Sequence, residues 1–391
     1  MAISRSKTRG KLITILLVIL LLAILLMIPF QLPGNVGAGD FRPYWSASYL
    51  LAHGQDFSDP KQMYHIERTL TGWNNPFTMY AWFAPTGNLV LLPFTFLPFS
   101  RATFYWLFTN IFIIFLSIIL IWRNKNTHLW IPLITAFSFS MTLVSLAIGQ
   151  VNTLELLGLA LFLAFNEARY DFFAGASLVL TTVKPHLVII TLPLLLLDFI
   201  RKKQWRVLSG FLISLLICIF ILSVIYPAWP ISFWKLLTYG MGTIRETPTL
   251  NGLLVVTGEY IWGKWIWLAI LGVAIIIWWK YGGGWDRRTL IDVTIVTGLV
   301  ISPIGWSYDQ VMLLFPLLRI FEWMVNGTLK NTDTTIIFMI LLAFNAFSFY
   351  QRTLEVSDVW FFWVPIVTAI AYIYAWQRKK VTMDLNMMGT G

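Results

Sequence analysis

Asp40 is the only acidic residue in the first fifty-five positions of this 391-residue chain. It lies in Gly39-Asp40-Phe41-Arg42-Pro43-Tyr44-Trp45, just past a long apolar run, where the chain would leave a bilayer. A carboxylate at that boundary is costly against lipid and so points to function. The plainer reading is a helix N-cap, since Asp40 precedes a helix-like stretch, 41–51, closed by Gly54. Lys184, with His186 two residues on, is the second candidate. More than ten apolar residues flank it on each side, and a lysine there costs roughly 2.5–3.5 kcal/mol on insertion scales. It either snorkels to the headgroups or, with His186, binds a phosphate of a lipid ligand. Gln150 and Asn152 flank a glycine-containing break and would satisfy freed carbonyls or bind substrate hydroxyls. Arg245, beside Glu246, reads as a surface ion pair or a second phosphate contact. Trp306 and Tyr308 would stack on a sugar ring or anchor at an interface. Asp309 is the second carboxylate able to reach the Asp40 face.

The composition says what must carry these residues. The chain is 58% hydrophobic and 12% charged, with a mean hydropathy of +0.73. The charged share is about half the soluble norm of ~25%, so an all-α polytopic membrane protein is expected. Twenty tryptophans and fourteen tyrosines suit interfacial belts. The net charge of +10 comes from short basic clusters between apolar runs rather than one solvated stripe, so nucleic acid is not expected as a partner. Cys218 stands alone in an apolar run, without a disulfide framework or thiolate metal cluster.

Residues 12–30 are too long for the ~7–15-residue core of a cleaved signal and read as a retained first span. A cytoplasmic stretch, 1–11, would precede it, and an external loop, 31–79, would follow. A loop of that length is usually functional. Further spans are expected near 102–121, 129–148, 153–165, 172–182, 186–200, 206–226, 261–279, 288–301, 310–321, 334–350 and 360–376. With the first, these make about twelve inside a single domain whose spans and re-entrant elements fill 80–376 and whose cytoplasmic tail is 377–391. The clusters Arg123/Lys125, Arg201 to Arg206, Lys280 to Arg288, and Lys330 then fall inside. The stretch 80–99, with Pro85, Gly87, Pro93 and Pro98, reads as a broken or re-entrant element. The polar breaks around Asp40, Gln150, Lys184, Arg245 and Ser302–Gln310 all open on the external face, where they converge like a site.

The order of these pieces resembles the polyprenol-phosphate-sugar-dependent glycosyltransferases of family 87, with the membrane-embedded GT-C fold. The matching pieces are Asp40-Phe41-x-x-Tyr44-Trp45-x-Ala47, the run from Tyr80 through Pro85 to Pro98, and Gly149-Gln150-Val151-Asn152. Lys184-Pro185, Asn251-Gly252-Leu253-Leu254, and Ser302-Pro303 with Trp306 complete the set. The resemblance implies transfer of a hexose, mannose or a related sugar, from a polyprenyl-phosphate donor to a glycolipid or glycan at the outer face of the cell membrane. It needs no nucleotide and no cofactor beyond the lipid-linked donor. By the same resemblance Asp40 is the general base. Arg42, Tyr44, Gln150, Asn152, Lys184, His186, Arg245, Asn251, Trp306, Tyr308 and Asp309 would contact substrate. Relatives often carry histidine near the tryptophan of the Ser-Pro segment, where this chain has Ser307, Tyr308 and Asp309. The glycosyl phosphate supplies its own leaving group, so one base and cations for the departing phosphate suffice. A single displacement would invert the anomeric carbon. A lipid-sugar transporter or flippase, or a surface-glycan ligase or polymerase, is the alternative, but no internal repeat of the transporter kind is visible.

Overall fold

Caps and breakers set the frame that holds Asp40. Helix α1 (Phe41–Ala52) starts at Asp40, whose side chain makes no capping bond. Asp59 caps α2 (Pro60–Thr71) through the Lys61 and Gln62 amides, with Pro60 at its first position and Gly72 left-handed at its end. Then come α3 (Pro85–Thr95), α4 (Phe99–Ile121), α5 (Trp130–Ser138), α6 (Ser140–Ile148) and α7 (Thr153–Glu167). The chain continues through α8 (Asp171–Ser177), two 3-10 stretches, Leu178–Thr182 and Pro185–Val188, and α9 (Thr191–Arg201). Next are α10 (Trp205–Ile225), α11 (Trp229–Gly242), α12 (Leu250–Val256), α13 (Tyr260–Tyr281) and α14 (Arg287–Ile301). The 3-10 stretch Ser307–Leu313 leads into α15 (Leu314–Val325), α16 (Asn331–Thr353) and α17 (Trp363–Met388).

The computed structural model describes residues 36–124, 127–242, 246–258 and 260–388, without the side chains of 240–242, 260–264, 283 and 382–388. The expected first span, 12–30, therefore lies outside the described residues. By contacts the chain divides into 1–36 and 37–391, and the elements above belong to the second unit.

Every element among the described residues is helical, as expected. The expected count of twelve crossings is not confirmed among the described residues. Among the described residues four stretches are long and apolar enough to cross a membrane: Phe99–Ile121, Trp205–Ile225, Asn331–Thr353 and Asp358–Val381. The pair α5–α6, bent by 67°, would make a fifth. The expected span 261–279 falls within the 22-residue α13, and others are shorter pieces, such as the 15 residues of α7 and the 11 of α9. At 1.5 Å per residue α7 and α9 reach about 22 and 16 Å, short of the ~30 Å hydrocarbon thickness. Protein covers much of them: Leu156, Leu159, Ala160, Phe162, Leu195 and Phe199 are fully buried. Non-spanning backbone at membrane depth is tolerated when protein surrounds it in this way. The stretch 80–99 follows the same rule: α3 is 11 residues long, holds Pro93, and buries Asn88 and Leu91.

Two apolar cores fill the described unit. The larger runs from the middle of α4 through α7, α9, α14, α15 and α17. The smaller packs α1 and α2 against α3 and the start of α4, centred on Phe41, Trp45, Leu91, Phe99 and Trp106. Phe41 stacks between Trp106 at 5.8 Å and Phe99 at 6.0 Å. Buried ions are paired: Arg288 with Glu322 at 2.8 Å, and Asp292 with the Tyr372 hydroxyl at 3.0 Å. These pairs tie α14 to α15 and α17, the frame behind the site.

Candidate active site

The turn that carries Asp40 leans on the end of α6. The Gly37 and Asp40 amides donate to the Ala147 and Ile148 carbonyls at 2.6 and 2.8 Å, partnering groups that a helix end leaves open. Gly149 makes this approach possible. Its φ is +73°, and a Cβ there would lie 2.1 Å from the Gly37 carbonyl oxygen. From α4, the Trp106 indole donates to the Gly149 carbonyl at 3.0 Å and the Asn110 amide to the Gln150 carbonyl at 2.9 Å. The Gly-Gln-Val-Asn turn is thereby fixed from two sides.

Gln150 is the crosspiece. Its Nε2 donates to the Asp40 carboxylate, while its Oε1 accepts from the Tyr44 hydroxyl at 3.1 Å and from Lys184 Nζ at 2.7 Å. Only this amide orientation gives every neighbour a matching partner, since turning it would set an NH₂ against the ammonium. Lys184 Nζ also donates to Asp309 Oδ1 at 3.0 Å. Asn152 donates to Asp309 Oδ1 at 3.3 Å and to the Tyr308 carbonyl at 2.9 Å, while Ser145 donates to Asn152 Oδ1 at 2.6 Å. The Trp306 amide donates to Asp309 Oδ2 at 3.0 Å, and His186 Nε2 stands 3.5 Å from the same oxygen. One network therefore joins α1, the turn before α7, the Lys184 break and the Ser302–Asp309 segment.

Above the network lies a cavity of about 340 Å³, lined by Asp40, Pro43, Tyr44, Phe77, Thr78, Met79, Tyr80, Trp82, Tyr239, Trp306 and Tyr308. Trp306 and Tyr308 stack at 5.9 Å on one wall, and Trp82 stacks on Tyr239 at 6.0 Å on another. Asp40 is the carboxylate among the lining residues. Burial lifts its pKa above the usual carboxylate value; the Lys184 charge and hydrogen bonds from Tyr308 and Gln150 oppose the lift without cancelling it. A partly exposed carboxylate, lifted in pKa and oriented by two donors, can accept a proton from a hydroxyl in the cavity.

The structure brings Asp40, Tyr44, Trp306 and Tyr308 to the cavity wall, with Gln150 directly behind Asp40. Three expected contacts lie deeper. Lys184 is 1% exposed and Asp309 0%, and each is the other's counter-ion. The alternative of Lys184 snorkelling to the headgroups does not fit its burial, whose cost Asp309 and Gln150 offset. Asn152 is likewise fully buried beneath the wall. His186 packs against Trp306, ring centroids 6.4 Å apart. Arg42 stacks on Trp73 at 4.8 Å and Phe99 at 5.4 Å, tying α1 to the end of α2 and the start of α4. Asn251 donates to the Pro303 carbonyl at 2.7 Å and braces the Ser-Pro turn. Arg245 lies outside the described residues.

Some contributors were not singled out from sequence. Glu155 is fully buried, and its Oε1 accepts the Lys184 amide at 2.5 Å. A carboxylate five positions after Gln150 inside an apolar segment is a signal that could have found it. Tyr80 and Trp82 belong to the aromatic run noted above, whereas Tyr239 sits among interfacial aromatics with nothing to set it apart.

No curated protein and no solved structure gives a significant match. The sequence profile of Glycosyltransferase family 87 matches residues 82–303, more than half of the chain. The match takes in Gln150, Asn152, Lys184, His186 and Asn251; Asp40 precedes it, and Trp306 to Asp309 follow within a few positions. The chain belongs to glycosyltransferase family 87 and is a membrane glycosyltransferase.

Proposed function

We propose that the chain transfers a hexose, mannose in the first instance, from a polyprenyl-phosphate donor to a glycolipid or glycan hydroxyl at the external face of the cell membrane, with inversion. The observation that carries this reading is Asp40: a carboxylate at the floor of an aromatic-lined cavity, held by side-chain donors and free of any capping bond. Aromatic faces suit the apolar faces of sugar rings, and the absent cap leaves the carboxylate for chemistry.

In the proposed reaction the acceptor hydroxyl lies against Asp40 and gives up its proton as its oxygen attacks the anomeric carbon. The bond from that carbon to the phosphate oxygen breaks, and polyprenyl phosphate leaves with the electron pair. Gln150 and Tyr308 hold Asp40 in line, and Lys184 acts through Gln150 and Asp309 as an electrostatic brace. The described lining residues include no lysine, arginine or histidine. The proposal therefore gives the departing phosphate to Arg245, six positions beyond the lining residue Tyr239.

The test is transfer from radiolabelled polyprenyl-phosphate-mannose to membrane acceptors, with and without a chelator. Transfer by the wild type, retained in chelator and yielding the inverted anomer, is expected. Failure of every lipid-phosphate hexose to serve, or a product of retained configuration, overturns the donor or the mechanism respectively.

A further inference from the structure

A second and larger cavity, about 460 Å³, lies at the other ends of the helices that build the site. Asn152 immediately precedes α7, and Asn166 and Glu167 at its end line this cavity. Lys184 and His186 precede α9, and Lys202 and Gln204 follow it. Helix α14 runs the opposite way, with Arg287 and Arg288 here and Ser302 at the site end. The two cavities are thus separated by roughly the 22 Å length of α7.

The lining is basic: Arg123, Arg169, Lys202, Arg287 and Arg288 outnumber Glu167 and Asp286. Some of that charge is met by protein. Arg123 pairs with Glu167, Lys202 with Asp198 at 2.9 Å, and Arg287 with Asp198 at 3.5 Å while also holding Asn166 and Gln204. Arg288 is different. It is 3% exposed and spends Nη1 on Glu322 at 2.8 Å, while its Nε and Nη2 have no hydrogen-bond partner. Those two donors form one edge of the guanidinium fork, the edge that grips two oxygens of a phosphate. Leaving them buried and bare is costly, so they are the second mark of a ligand beside the charge excess. Arg169 makes no ion pair among the described residues. Trp285 stands exposed on the same wall, where an indole meets headgroups.

We propose that this basic recess binds a phosphate group, presented as the headgroup of an anionic membrane lipid. Such a ligand would close the ends of α7, α9 and α14 together and hold the frame behind the Asp40 network. It is a site apart from sugar transfer and stands whether or not the proposed donor is correct.

The experiment is thermal unfolding of the full-length protein in neutral detergent, titrated with phosphatidylglycerol, with phosphatidylcholine or with inorganic phosphate. Two variants accompany the wild type. Arg288→Lys keeps the charge and the Glu322 pair but removes the fork edge, and Arg169→Gln/Lys202→Gln changes only outer cations. Phosphatidylglycerol should raise the wild-type melting temperature, and each variant should need about tenfold more of it for half the effect, as expected for losing one or two charge-assisted bonds. A rise with inorganic phosphate as large as that with the lipid, also lost in the variants, keeps the phosphate site and makes its source soluble. An equal rise with phosphatidylcholine, no rise at all, or variants that respond like the wild type would overturn the proposal.

Discussion

At Asp40 the choice between helix cap and base turns on one bond. A capping carboxylate would accept from the first amides of α1, whereas this one accepts from Gln150. Asp40→Asn should therefore leave the fold intact and lower transfer by about 10²–10⁴-fold, the range for a lost general base. Equal activity, measured in protein of unchanged melting temperature, would return Asp40 to a structural role. Its lifted pKa carries a sign: activity requires the ionised form, so the rate should fall as pH drops through a value above that of an ordinary aspartate. The Lys184–Asp309 pair gives a different test. Lys184→Met would leave a buried carboxylate without its counter-ion and should cost about 3–5 kcal/mol. Lys184→Met with Asp309→Asn removes both charges and should recover much of that stability, though not the transfer rate. A double variant as unstable as the sum of the singles would break the pairing argument.

Among the elements, the Gly149 turn and the α2 loop each make a prediction. Gly149→Ala must accommodate a left-handed backbone and a clash with the Gly37 carbonyl, so about 1–3 kcal/mol of stability should go. The displaced Asp40 turn should also cost turnover more than substrate affinity, and steady-state kinetics separates the two. In the α2 loop, Glu67 is fully buried and holds the Met79 amide at 3.1 Å, positioning a residue of the cavity wall. Burial raises its pKa to about 7, against weaker opposition from the Met79 amide and the Arg42 charge. The folded state thus binds more protons than the unfolded one between the usual glutamate value of 4.5 and about 7, and stability should fall as pH rises across that window. The drop is at most about 3 kcal/mol, and Glu67→Gln should flatten the slope in thermal melts. The sequence made some of this legible and hid the rest for identifiable reasons. Asp40, Gln150, Lys184 and Asp309 were visible because polar groups in apolar surroundings are expensive. Their pairing was not, since residues 125 positions apart meet only once the helices pack. The count of twelve spans is not confirmed among the described residues, for a related reason. Hydropathy registers apolar length, and α7 and α9 are apolar because protein surrounds them.

For the molecule as a whole, polarity along the helices is the organising feature. Helices α7, α9 and α14 each run between the segments that carry the polar network beneath the aromatic cavity and a basic recess at the other end. Short basic segments are retained on the cytoplasmic side of membranes, so the proposed orientation has the recess inside and the Asp40 cavity outside. That orientation would let the proposed lipid-linked sugar serve where nucleotide donors are absent. It can be tested without knowing the sugar. Cys218 is the single cysteine, and Cys218→Ala gives a background on which one thiol at a time can be placed. Phe77 is 55% exposed at the cavity rim, and Arg169 is exposed at the recess. In intact cells a membrane-impermeant maleimide should label Phe77→Cys, and Arg169→Cys should react only after permeabilisation. Labelling in the reverse order would place the Asp40 cavity on the cytoplasmic side and end the external-face proposal, while leaving the network around Gln150 as it stands. Equal labelling of both before permeabilisation would mean that the two ends of α7 do not lie on opposite sides of a bilayer, and the account of the helix frame would fail with it.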